Sequence, residues 1–337
     1  MEMICPVCGC KSPALKLSDI SCNQCGFAYA YMNYFSGDIS LSLWKTKIEK
    51  MREKLRMDKM SLFSQKNLFF LSGDQVAYYA PDEKKLLIFA SDGSVEEKKN
   101  VIQYSRSERN SAILFSSGKI KAQGDNNYGQ CNVQGTASVS FLLCAPNCIY
   151  VVGEDGRIAI SGAVLDPQIK TWTDITALAC GSFHVLGLTK DKRVKIAGEM
   201  IEQSVVDQVA GWKDVRAICA STDCSIALFE DGTVSFAGRK NDPRSDVENW
   251  KDIVSVKADS SYAVGLTREG DVKLAGTCKP FLDMNRSSAA NWKDVIAITC
   301  SRSSIAAIFA DGSLKIVGNF SGDIDTICKQ WKDKVKI

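Results

Sequence analysis

Two cysteine pairs, CPVCG over residues 5–9 and CNQCG over residues 22–26, carry the strongest chemistry in this sequence. Each C-x2-C step sets two thiolates on one side of a tetrahedral ion, and Gly9 and Gly26 relieve the tight turn that follows. Cys5, Cys8, Cys22 and Cys25 are therefore expected to hold a structural Zn2+ through Zn–S bonds of ~2.3 Å. Such bonds can fold a segment too short to bury a core of its own. Cys10 is an alternative ligand, but a C-x-C step fits symmetric pairing less well. Four thiolates leave no open coordination position, so the metal is not expected to be catalytic.

The paired spacing resembles a zinc ribbon, assigned to residues 1–34. The remaining cysteines read as core thiols: Cys144, Cys180 and Cys300 share one repeat position with Ala220 and Ala258, which asks only for a small buried side chain. His184 is the single histidine, and it reads as a structural turn residue. No Ser-His-Asp arrangement is readable and no phosphate-cradling glycine loop occurs, so the chain is not expected to be an enzyme. Net charge is +3, without the bulk positive charge of a nucleic-acid binder. The N-terminus does not read as a signal peptide, and no apolar run reaches the ~18 residues of a membrane span. A cytoplasmic protein with reduced thiols is the expectation.

The elements that must position these groups come from a repeat. Trp172, Trp212, Trp250 and Trp292 are each followed, twenty-six residues on, by Gly198, Gly238, Gly276 and Gly318. The frame extends upstream without the Trp and makes seven units. Within each, apolar residues alternate as in VRAICA and SIALFE, which is strand periodicity. EDG, REG and ADG stand at hairpin positions. Short strands in units of about 40 residues predict a propeller. A solenoid would expose apolar ends and need capping units, whereas a ring has no ends. Asp174, Asp214, Asp252 and Asp294 share one position and are expected to hydrogen-bond backbone at blade junctions.

The pattern W-x-D-[IV]…[DE]G-x-V-x-x-A-G resembles the regulator-of-chromosome-condensation repeat, as do GDNNYGQCNV at 124–133 and CGSFHVLGL at 180–188. The resemblance covers residues 73–337 and implies an all-β, seven-bladed propeller. The Trp-Lys-Asp wording is similar to the bacterial branch of the family, whose members range from a nucleotide-exchange factor for a small GTPase to a β-lactamase inhibitor. The first unit departs from the pattern: it lacks the Trp, and Lys99 replaces the glycine. The chain ends on WKDKVKI, which reads as the opening of an eighth unit. A C-terminal strand closing the ring beside the first blade is the expectation.

Between ribbon and propeller (66–337), residues 35–65 form the connector. Leu41, Trp44, Ile48, Met51 and Leu55 fall on one helical face, with seven Lys/Arg against three Asp/Glu over residues 41–60. This helix is expected to pack its stripe on the propeller or the ribbon. Function is left to the loops. The loops eight to twelve residues into each unit differ in chemistry while their strands agree. Their Arg and aromatic positions, Arg106, Arg109, Phe183, Tyr262 and Arg302, are the expected contacts to an unidentified protein partner. The inter-blade segments RKNDPRSDVEN and TCKPFLDMNRSSAAN form a competing surface. The leading expectation is a non-enzymatic interaction scaffold tethered by the zinc ribbon. Nucleic-acid or ribosome association through the ribbon and basic helix is the alternative, since residues 1–70 carry ten Lys/Arg against six Asp/Glu. Nucleotide exchange on a small GTPase is a second alternative.

Overall fold

In the computed structural model, residues 3–4, 11–12, 41–66, 68–133, 138–199, 201–277 and 285–335 are described. The four cysteines assigned to zinc lie outside them. Met3–Ile4 pairs antiparallel with Lys11–Ser12.

From residue 69 the described chain forms seven consecutive antiparallel sheets. Blade 1 comprises Phe69–Leu71, Gln75–Ala80, Lys85–Ala90 and Val95–Lys98. Blades 2 to 7 have three strands each and begin at Val101, Val139, Ile175, Val215, Ile253 and Val295. First strands touch between blades 2 and 3, 4 and 5, 5 and 6, and 6 and 7, which puts them nearest the axis. In blades 2 to 7 the first strand carries a bulge after its first residue, as between Val215 and Ala217. Blade 1 pairs without one.

Each junction between blades is sealed by apolar side chains of both. Trp172 and Ile175 meet Tyr150 and Ile158 of blade 3, and Trp250 and Ile253 meet Ile226 and Leu228 of blade 5. The Trp needs a flat seat. A Cβ on Gly187 would lie 2.8 Å from the Trp172 ring, and one on Gly265 2.6 Å from Trp250. The Asp two residues after each Trp makes its hydrogen bond within its own blade, and through its backbone, rather than across the junction. Asp174, Asp214, Asp252 and Asp294 have φ of 57° to 61°, a region that Asp tolerates better than most residues. Their carbonyls accept from the hairpin of the same blade, as Glu230 N to Asp214 O at 3.1 Å.

Ring closure departs from the sequence expectation. The strand added to blade 1 comes from its N-terminal side: Phe69 pairs with Tyr78, and this strand touches the first strand of blade 7. The C-terminus is helix Ile324–Lys334, not a strand. Asp323 caps it by accepting from Asp325 N and Thr326 N, and Ile327 and Trp331, one turn apart, are buried. Trp331 does not start a repeat. Its ring lies 5.5–5.7 Å from those of Phe69, Tyr78 and Phe89 of blade 1, and its Nε1 donates to Gly312 O of blade 7 at 3.0 Å.

The connector helix spans Leu41–Gln65 and packs on the propeller. Met57, Met60 and Phe63 join the core of blades 6, 7 and 1. Arg56 donates to Arg268 O in the blade 6 hairpin at 3.0 Å, and Arg216 of blade 5 donates to Ser64 Oγ at 3.1 Å. The helix thus covers the hairpin end of the ring over these blades.

A candidate interaction face

At the opposite end of the ring the loops between first and second strands emerge. The third strand returns to the same end, so each inter-blade segment also starts there. Thr277 N bonds to Ser261 O and Asn319 N to Ser303 O, both at 2.9 Å. This close approach explains the repeated glycine. At Gly276 and Gly318, φ is 109° and 105°, and a Cβ would sit 2.3 and 2.2 Å from those loop carbonyls. The two loop sets read from sequence as competing surfaces therefore meet on one face in their described parts.

Arg244, in the segment before Trp250, joins them. It is buried and its guanidinium bonds to Asp242 and Asp223 at 2.6 Å, Ser221 Oγ at 3.2 Å and Ser260 O at 3.1 Å. Burial works against its charge, yet the bonds to Asp242 and Asp223 hold it more firmly protonated than a free guanidinium. Arg286, also six residues before a Trp, stacks over the Tyr262 ring at 4.7 Å and donates to Arg302 O. Sequence reasoning missed both arginines. Their shared offset from Trp250 and Trp292 was the available signal.

The residues expected to contact a partner divide. Arg109, Phe183 and Arg302 are exposed on this face, and Phe183 is 51% exposed. Arg106 is partly buried, bridging blades through Gln75 and, at 3.3 Å, Asp74. Tyr262 is not on the surface. It is fully buried, and its hydroxyl donates to Ser301 O and Ser304 O of blade 7 at 2.5 and 3.0 Å. It opens a middle strand, at the position held by the buried Asn110, Cys148, His184, Cys224 and Ser304. Tyr128, in the segment leaving blade 2, is 57% exposed and was missed.

His184 is buried, with Nε2 3.0 Å from Ser225 Oγ. Burial lowers its pKa to about 4, against a smaller raising effect of Asp223. Burial likewise pushes the thiols of Cys144 and Cys224 up to about 12. Among the described residues no cluster could hold a metal ion, and no helix is long and apolar enough to cross a membrane.

No protein-family model matches the sequence, and no curated protein matches it. Solved structures do match. The CRINKLY WD40 ectodomain of the Arabidopsis thaliana receptor kinase ACR4 aligns at TM-score 0.55 and 13% identity, over 75% of this chain and 95% of that one. The ectodomain of the Physcomitrella patens receptor kinase CR4 aligns at 0.58 and 13%, over 74% and 71%. Yeast RCC1 (Prp20), solved bound to Kap60, aligns at 0.51 and 14%, over 79% and 82%. At these identities the likeness is one of fold: this chain is a seven-bladed β-propeller.

Proposed function

We propose that this chain is a non-enzymatic interaction scaffold that binds a protein partner on the loop face of the propeller. One observation carries the reading: the connector helix covers the hairpin end over blades 5 to 7, while the opposite end presents Arg109, Phe183, Tyr128 and Arg302 on loops pinned by backbone hydrogen bonds. Rigidly held arginine and aromatic side chains are the usual anchors of interfaces. The fold is compatible with such a role, since yeast RCC1 was solved bound to Kap60 and examined for binding to Gsp1p and histones. Free thiols at the eight described cysteines fit a reducing, cytoplasmic setting.

The N-terminal cysteines complete the proposal as a Zn2+-bound tether. The C-x2-C spacing of Cys5 with Cys8 and of Cys22 with Cys25 supports that part of the proposal. Capture experiments with the full chain test the scaffold. Recovered partner should fall at least about tenfold in an Arg109→Glu/Arg302→Glu variant with an unchanged melting temperature. Recovery of nucleic acid in place of a protein, lost on reversing basic residues of the helix, would replace this reading.

A further inference from the structure

On the loop face, a groove of about 260 Å3 opens between blades 4 and 5. Ile196, Ile201 and Val205 form its apolar wall, and Phe183 is its exposed lip. Glu199, Glu202 and Asp223 bring three carboxylates to it. Asp223 is already paired, at 2.6 Å with buried Arg244 and at 3.5 Å with Arg239. Among the described residues no cation pairs with Glu199 or Glu202, and both are exposed. Counting Asp242, which Arg244 also holds, the groove and its support have four carboxylates against two guanidinium groups, an excess of two negative charges.

Arg239 shows what the mouth accepts. Its side chain is 77% exposed, yet its guanidinium is drawn to Asp223. The shape supplies the rest. An arginine or lysine stem lies well against apolar surface while its head meets carboxylates, and a guanidinium stacks on an aromatic face such as Phe183. The volume exceeds what one cationic head fills, and the aliphatic wall has room for a neighbouring apolar side chain.

We infer that this groove takes an extended partner segment in which an arginine or lysine stands beside an apolar residue. The inference deepens the scaffold reading and rests on it for the identity of the binding face. The charge excess argues against an acidic segment, and the apolar wall against a bare polyamine.

Fluorescence polarisation of the full chain tests this with a labelled peptide, Gly-Ser-Leu-Arg-Leu-Ser-Gly, and with matched peptides carrying Glu or Leu in place of Arg. The Arg peptide should bind best and the Glu peptide not at all. A Glu199→Gln/Glu202→Gln variant should weaken the Arg peptide about fivefold to tenfold, the scale of two partly exposed ion pairs. Phe183→Ala should weaken it as well. All these positions are on the surface, so folding is retained. Equal binding of the three peptides, or no response to the variants, overturns the inference. So does agmatine matching the Arg peptide in affinity, which would mark a small-cation site. The scaffold reading survives that failure if partner capture still depends on Arg109 and Arg302; if capture also fails to depend on them, both fall.

Discussion

His184 illustrates how one repeat position is reused. It opens the middle strand of blade 4, where blade 2 has Asn110, and both side chains reach across to the next blade: Asn110 Nδ2 donates to Ala145 O at 2.9 Å, and His184 meets Ser225. The histidine makes that bridge at the cost of a titration. Its folded pKa, about 4, lies below its unfolded value near 6.5. Between those values the unfolded chain binds the extra proton, so this contribution to stability is full above about pH 6.5 and is lost as pH falls toward 4. The loss is on the order of 3 kcal/mol at most. A His184→Asn variant should therefore show a flatter dependence of unfolding free energy on pH across that window, measured by denaturant titration at several pH values. An unchanged slope would mean that His184 is as solvated in the folded chain as in the unfolded one.

The connector helix shows an element whose sequence left its partner open. Ile48, Met51 and Leu55 gave the amphipathic stripe, but either ribbon or propeller could have received it. The contacts of Met57, Met60, Phe63, Arg56 and Ser64 settle on blades 5 to 7 and 1. If the N-terminal cysteines hold Zn2+ as proposed, this packing predicts that the helix keeps its stability without the metal. Protein purified without added metal should carry one Zn2+ per chain, reduced in a Cys22→Ser variant. Chelation should leave amide exchange slow over residues 51–65 and the β signal intact, because the packing there does not depend on the metal. Fast exchange across the whole helix after chelation would show that the ribbon, not the propeller, holds it.

At the scale of the molecule, closure depends on the C-terminal helix. Trp331 fills an aromatic cage on blade 1 and bonds to blade 7, and Gln330 Nε2 donates to Gly93 O of blade 1 at 2.6 Å. The helix clamps first blade to last. Replacing a fully buried large aromatic by Ala costs about 3–5 kcal/mol, so Trp331→Ala should lower the melting temperature by several degrees. Deleting residues 324–337 should lower it further. A melting temperature unchanged by both would show that the N-terminal strand Phe69–Leu71 closes the ring unaided.

The sequence by itself determined the number of blades and the strands of most of them. Alternating apolar residues, the fixed spacing from each Trp to its Gly, and the turn glycines are local rules, and local rules repeat visibly. Tertiary structure decided what depends on distant chain segments meeting. WKDKVKI has the wording of a repeat, but Asp323 caps a helix ahead of it and Ile327 lies one turn before Trp331, so Trp331–Lys334 continue that helix and bury Trp331 against blades 1 and 7. Tyr262 lies at a loop edge in the sequence, but the direction of a strand's first side chain is set by the neighbouring blade, which buries it. Arg244 looks like a surface residue of a polar segment until the inter-blade path carries it under the loops. The groove between blades 4 and 5 draws on residues 183 to 239, and the ring alone brings them to one mouth.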